Sequence, residues 1–171
     1  MVEVRLRAVR VDLQSNTPVL LQESEGLGRT LPIFIGAPEA TAIAFALQGM
    51  DTPRPMTHDL IRDLLEALGA DVVRVVITEL KTATYFAEIV LRHAERELPV
   101  SARPSDAVAV AVRTGAPLFV SDDLMESEGI MLAVDEEDDE DSDDGEGSNP
   151  DELVGEFRNF LDSIRPEDFS S

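Results

Sequence analysis

Two short blocks hold the densest chemistry in this chain: Arg54-Pro55-Met56-Thr57-His58-Asp59 and Arg103-Pro104-Ser105-Asp106. Each runs Arg-Pro, then a hydroxyl residue, then Asp. Glu39 adds a carboxylate upstream. A guanidinium clamps a phosphate through paired N–H donors, and the free N–H groups of a helix start serve the same anion. Arg54 and Arg103, with Thr57 and Ser105, are therefore candidate phosphate-binding residues. Glu39, Asp59 and Asp106 are candidate catalytic carboxylates, and candidate ligands for Mg²⁺ or Mn²⁺, which take oxygen donors. His58 is the candidate general acid/base near neutral pH. Phosphodiester hydrolysis needs these parts together: a clamp on the phosphate, an activated water and a stabilised leaving group. The same residues also read as ordinary helix starts. Thr57 and Ser105 are then caps, Asp59 and Asp106 complement the helix dipole, and Pro stiffens the entry. His58 and Asp59 are neighbours on a helix and point about 100° apart, so a single cleft receives only one of them.

These residues must be positioned by the elements around them. Val2–Asp12 alternates apolar and charged residues and reads as a strand with one wet face, and Val19–Gln22 and Thr30–Ile35 follow as strands. Pro38 opens a helix in which Ala40, Ile43, Ala44 and Leu47 recur at helical spacing, with Gly49 as its stop. A second helix starts at Thr57, with Leu60, Ile61, Leu64, Leu65 and Leu68 as one apolar stripe. Asp71–Leu80, Thr84–Arg92 and Leu98–Ala102 are strands. Ser105 caps a third helix that ends at Gly115, and Ala116–Val120 is a further strand. Asp122–Glu128 reads as a short helix or turn, and Ile130–Val134 as a strand or the exit. The halves match at an offset of 67: Leu31, Pro32 and Ile33 against Leu98, Pro99 and Val100, and Glu39 against Asp106. The expectation is an α+β fold, a mixed or antiparallel sheet with helices packed on it, built by duplication of a βββα unit.

The 171 residues are 43% hydrophobic but only 5% aromatic, so the core must be mostly Val, Leu, Ile and Ala. Cys is absent, which excludes disulfides, thiolate metal sites and cysteine nucleophiles. There is no Walker A, GxGxxG, GxSxG or HExxH pattern, which weakens the classes those motifs mark. His93 reads as a surface residue. Tyr85-Phe86 reads as core, with base stacking as the alternative. Net charge is −21, unevenly spread. Residues 1–134 hold 12 basic and 19 acidic side chains, and residues 135–171 hold 2 and 16, so 14 of the 21 excess charges lie in the tail. The organisation expected is a domain over 1–134, an acidic disordered linker over 135–148 and an amphipathic helix over 149–171. The acidic run reads either as a phosphate-backbone mimic or as a solubilising spacer. No signal peptide or membrane span is evident, so a cytoplasmic protein is expected.

The strand ending in Ile35-Gly36, the Glu39–Leu47 helix, Arg54–Asp59 and Arg103–Ala107 stand in the order seen in the bifunctional nuclease domain family, which residues 1–134 resemble. The resemblance implies an α+β fold and degradation of both DNA and RNA. The residues named above are bets of chemistry on positions that match the family's blocks. Partners to test are nucleic acid, a second copy of the chain and a protein bound through 149–171. The rival reading is a non-catalytic adaptor whose terminal helix binds a partner.

Overall fold

A computed structural model describes residues 1–9, 17–50 and 52–131. β1 (Val2–Val9), β2 (Thr17–Glu23) and β3 (Arg29–Ile35) form an antiparallel meander that leads into α1 (Ala37–Leu47). After α2 (Thr57–Ala67), a second meander of β4 (Ala70–Lys81), β5 (Thr84–His93) and β6 (Arg96–Ala102) leads into α3 (Pro104–Thr114). β7 (Leu118–Val120), α4 (Asp122–Glu128) and β8 (Ile130–Met131) complete the described chain. The strands form one mixed sheet in the order β6-β5-β4-β7-β1-β2-β3-β8. β7 joins the meanders, parallel to β4 and antiparallel to β1.

The fold is α+β, and the order βββα occurs twice. β3 and β6 begin at Arg29 and Arg96, and α1 and α3 at Ala37 and Pro104, each pair separated by the same offset of 67. Period-two burial is clearest at the end of β3. Leu31, Ile33 and Ile35 of β3 are buried while Phe34 between them is exposed. The helices are alanine-rich where they meet. Ala40 and Ala42 of α1 and Ala107, Ala109 and Ala111 of α3 are buried, and small side chains let the two helices approach each other and the sheet. α1 lies against β1 and β2, and α3 against β4 and β5.

The sheet curls. α4 touches both β3 and β4, four places apart in the sheet. Flat, those strands would stand roughly 19 Å apart. A helix of this length spans only about 10 Å. The curl brings the far end of β3 close to the β4–β5 hairpin. Thr82 and Ala83 at that hairpin's tip both adopt left-handed backbone, φ 48 and 58, a conformation that hairpin turns usually give to Asn or Gly.

Several expectations need correction. The apolar stripe of α2 is present but largely uncovered. Leu60, Leu64 and Leu68 are exposed, Ile61 packs against the core, and His58 is the buried residue of the helix. Helical periodicity reveals an apolar face but not whether anything covers it, and α2 meets only α3 and β4 closely. The caps also sit one or two residues earlier than expected. Met56 and Arg103, not Thr57 and Ser105, precede the first helical turns. Pro104 fits the first helical position, which moves Ser105 inside the helix. The end of the first strand (Arg10–Asp12), residues 132–134, the acidic linker and the terminal helix lie outside the described residues. Among the described residues no helix is long and apolar enough to cross a membrane.

Candidate functional site

Glu39, Asp59 and Asp106 occupy the same place on three different helices. Each is the third residue of its helix, following Ala37-Pro38, Thr57-His58 and Pro104-Ser105. A carboxylate there faces the free N–H groups and the positive end of the helix dipole. What separates Asp59 from the other two is the cation it meets.

Asp106 and Glu39 meet on Arg103. The guanidinium grips Asp106 with two hydrogen bonds, Nε to Oδ2 at 2.8 Å and Nη2 to Oδ1 at 3.0 Å. Its third arm, Nη1, reaches Glu39 Oε1 at 3.1 Å. His58 Nε2 lies 3.1 Å from Asp106 Oδ1. The result is one chain of contacts, Glu39–Arg103–Asp106–His58, drawn from the starts of α1, α3 and α2. Glu39, Thr57, His58, Arg103 and Asp106 line a single cavity of about 300 Å³. His58 is only 8% exposed, whereas the Arg103 side chain is 66% exposed, so the imidazole is fixed and the guanidinium is reachable. Hydrogen bonding from Arg103 holds the Asp106 carboxyl below the usual aspartate range. Burial opposes this and His58 adds to it. Asp106 in turn raises Arg103.

The duplication explains why both acids can share one base. Arg103 has Gly36 as its counterpart before α1. A Cβ at Gly36 would lie 2.5 Å from Glu39 Oε2, so the glycine leaves room for the Glu39 carboxylate in the position it takes beside Arg103. One repeat supplies the guanidinium and the other the space beside it.

Asp59 belongs to a different construction. Its Oδ1 accepts from Arg113 Nε at 2.5 Å and its Oδ2 from the Met56 N–H at 3.0 Å. Arg113 is 4% exposed and donates further to Ala109 O at 3.0 Å and Ala42 O at 2.9 Å. This single guanidinium ties α1, α2 and α3 together, beside a cavity other than the one that holds the cluster. Burial pushes Asp59 up, but the hydrogen bonds from Arg113 and Met56 more than reverse it, leaving Asp59 below its ordinary value. His58 therefore faces the cleft and Asp59 holds the scaffold, as expected for side chains about 100° apart.

The remaining candidates divide. Thr57 is exposed at the cavity that holds the cluster, and Ser105 is buried in the wall of a neighbouring one. Arg54 is exposed and lines neither cavity. The three carboxylates considered as metal ligands do not converge: both oxygens of Asp59 are committed elsewhere, and Arg103 bridges the other two. Among the described residues no three His, Asp or Glu side chains are grouped as a cation site. Two carboxylates bridged by a guanidinium fall short of the oxygen-rich set that Mg²⁺ or Mn²⁺ takes. Sequence reasoning missed Arg113, whose partner Asp59 is 54 residues away. The available signal was a basic residue in the last turn of α3.

Comparison with known proteins places the family. The model of the bifunctional nuclease domain matches residues 19–133, a span that contains the whole cluster. An uncharacterised protein of Mycobacterium tuberculosis (strain ATCC 25618 / H37Rv) is 41% identical over 169 residues, covering 99% of this chain and 98% of the relative. Bifunctional nuclease 1 of Arabidopsis thaliana is 26% identical over 124 residues, 71% of this chain but only 38% of the plant protein. Bifunctional nuclease 2 of Oryza sativa subsp. japonica is 28% identical over 116 residues, 66% of this chain and 35% of that protein. This chain belongs to the bifunctional nuclease domain family.

Proposed function

We propose that this chain hydrolyses phosphodiester bonds in DNA and RNA, with His58 as general base, Asp106 as its positioning partner and Arg103 as the phosphate clamp. The observation that carries this reading is the unbroken contact chain from His58 through Asp106 to Arg103 along one cavity wall. His58 Nε2–H donates a hydrogen bond to Asp106 Oδ1, which leaves the Nδ1 lone pair to accept a proton from water. The water oxygen attacks phosphorus, the bond to the leaving oxygen breaks, negative Asp106 stabilises the imidazolium that forms, and the leaving oxygen is protonated by solvent, to which the imidazolium afterwards returns its proton. Arg103 neutralises charge on the phosphoryl oxygens.

Charge balance gives Glu39 a separate role. With His58 neutral, Glu39, Asp106 and Arg103 sum to one negative charge. An incoming phosphate competes with these carboxylates for the guanidinium. Glu39, held by one hydrogen bond, yields before Asp106, held by two. The carboxylate set does not fit a divalent ion, so His58, Asp106 and Arg103 carry the chemistry and cleavage is expected to persist in EDTA. The test is purified full chain with end-labelled DNA and RNA, with and without EDTA. Cleavage of both nucleic acids in EDTA supports the reading, and cleavage that is lost in EDTA or absent under both conditions overturns it.

A further inference from the structure

A second cavity, of about 280 Å³, adjoins the cluster and shares Glu39 and Arg103 with it as walls. Phe34, Tyr85 and Ser105 also line it. Its aromatic residues come from the two parts of the sheet that the curl brings together, the end of β3 and the start of β5. Tyr85 packs partly against the core, so packing accounts for it. Packing does not account for Phe34. It is 66% exposed, on the wet side of a strand whose flanking Ile33 and Ile35 are 3% and 7% exposed. An aromatic ring in water, a small cavity and a reachable guanidinium sit side by side. These are the parts that hold a nucleotide unit: a flat apolar face for the base and a cation for its phosphate.

We propose that this cavity seats an unpaired nucleobase against Phe34 while the phosphate joined to it lies on Arg103. The proposal rests on the nuclease reading and narrows the substrate class to single-stranded nucleic acid. Bases in a duplex are stacked on both faces, and only a base that has left the stack offers a face to a side chain. Stacking tolerates any base and requires no 2′-hydroxyl, so this subsite accepts DNA and RNA alike.

The test is fluorescence anisotropy on the full chain with three labelled ligands of equal length. These are a DNA single strand, the same strand in duplex form, and a phosphodiester oligomer with every base replaced by an abasic tetrahydrofuran unit. Wild type is expected to bind the single strand about tenfold tighter than the abasic oligomer, and tighter than the duplex. Phe34→Ala should lose most of the preference over the abasic oligomer, and Phe34→Trp should keep it. A thermal melt of each variant checks that the fold is intact. Equal binding of single strand and abasic oligomer by wild type overturns the proposal, as does an unchanged preference in folded Phe34→Ala or no binding at all. Cleavage of the same strand separates this outcome from that of the parent reading. Cleavage without base preference removes the subsite and leaves the nuclease. Base preference without cleavage does the reverse.

Discussion

His58, Asp106, Arg103 and Glu39 differ most in how firmly each is held. His58 is buried and Asp106 is gripped twice, while Arg103 is largely exposed and Glu39 hangs on one hydrogen bond. The rigid pair suits proton transfer and the loose pair suits exchange of ligands. Gly36→Ala tests that division. Its φ of −72 admits alanine without strain, so stability should change by no more than about 0.5 kcal/mol. The new methyl would displace the Glu39 carboxylate from beside Gly36. With a competitor for Arg103 removed, oligonucleotide binding should tighten several-fold. Titration of labelled single strand measures this, and collapse of cleavage instead would make Glu39 part of the chemistry. Of these residues the types and blocks were legible in the chain, including the match of Glu39 with Asp106. Their partners were not. Asp59 and Asp106 both sit behind a Pro and three residues into a helix, yet one meets Arg113 and the other His58, because sequence spacing does not say which helix lies opposite.

At the scale of elements, the strand and helix order could be read from periodicity, and the offset of 67 placed α1 and α3 in equivalent positions. The failures were at helix starts and on the exposed face of α2. Local preference for Thr or Ser as caps was overruled by Pro104 at the first helical position and by the Asp59 carboxylate closing on the Met56 N–H. The three-helix tie at Arg113 is the element-level feature with the largest expected cost. Asp59→Ala leaves Arg113 buried without its carboxylate, which should cost about 3–5 kcal/mol at neutral pH. Because the Asp59 carboxyl lies below its ordinary value, its stabilisation is complete above roughly pH 4 and is lost as pH falls through the folded-state value. Chemical denaturation from pH 7 to pH 2 should therefore show the gap between wild type and Asp59→Ala narrowing only in the acid limb. A gap that is small at pH 7 would remove Asp59 from the scaffold.

At the scale of the whole molecule, curling of the sheet makes the site. Neither meander alone contains it. One supplies Gly36 and Glu39, the other Arg103 and Asp106, and the linking helix α2 adds His58. The repeat was visible in the sequence, but the curl was not, since it follows from which strands α4 bridges. The chain as a whole is strongly acidic, at −21, yet 14 of those charges fall in residues 135–171, beyond the elements that carry the cluster. The central claim is that His58 and Asp106 act as one proton-transfer unit beside Arg103. A double-mutant cycle on single-turnover cleavage tests it most directly, using His58→Ala, Asp106→Asn and the double variant, each with a thermal melt to confirm folding. The account predicts that His58→Ala lowers the rate about 10²-fold or more and that the double variant falls little further. Rates that multiply independently, or folded single variants that cleave like wild type, would contradict it.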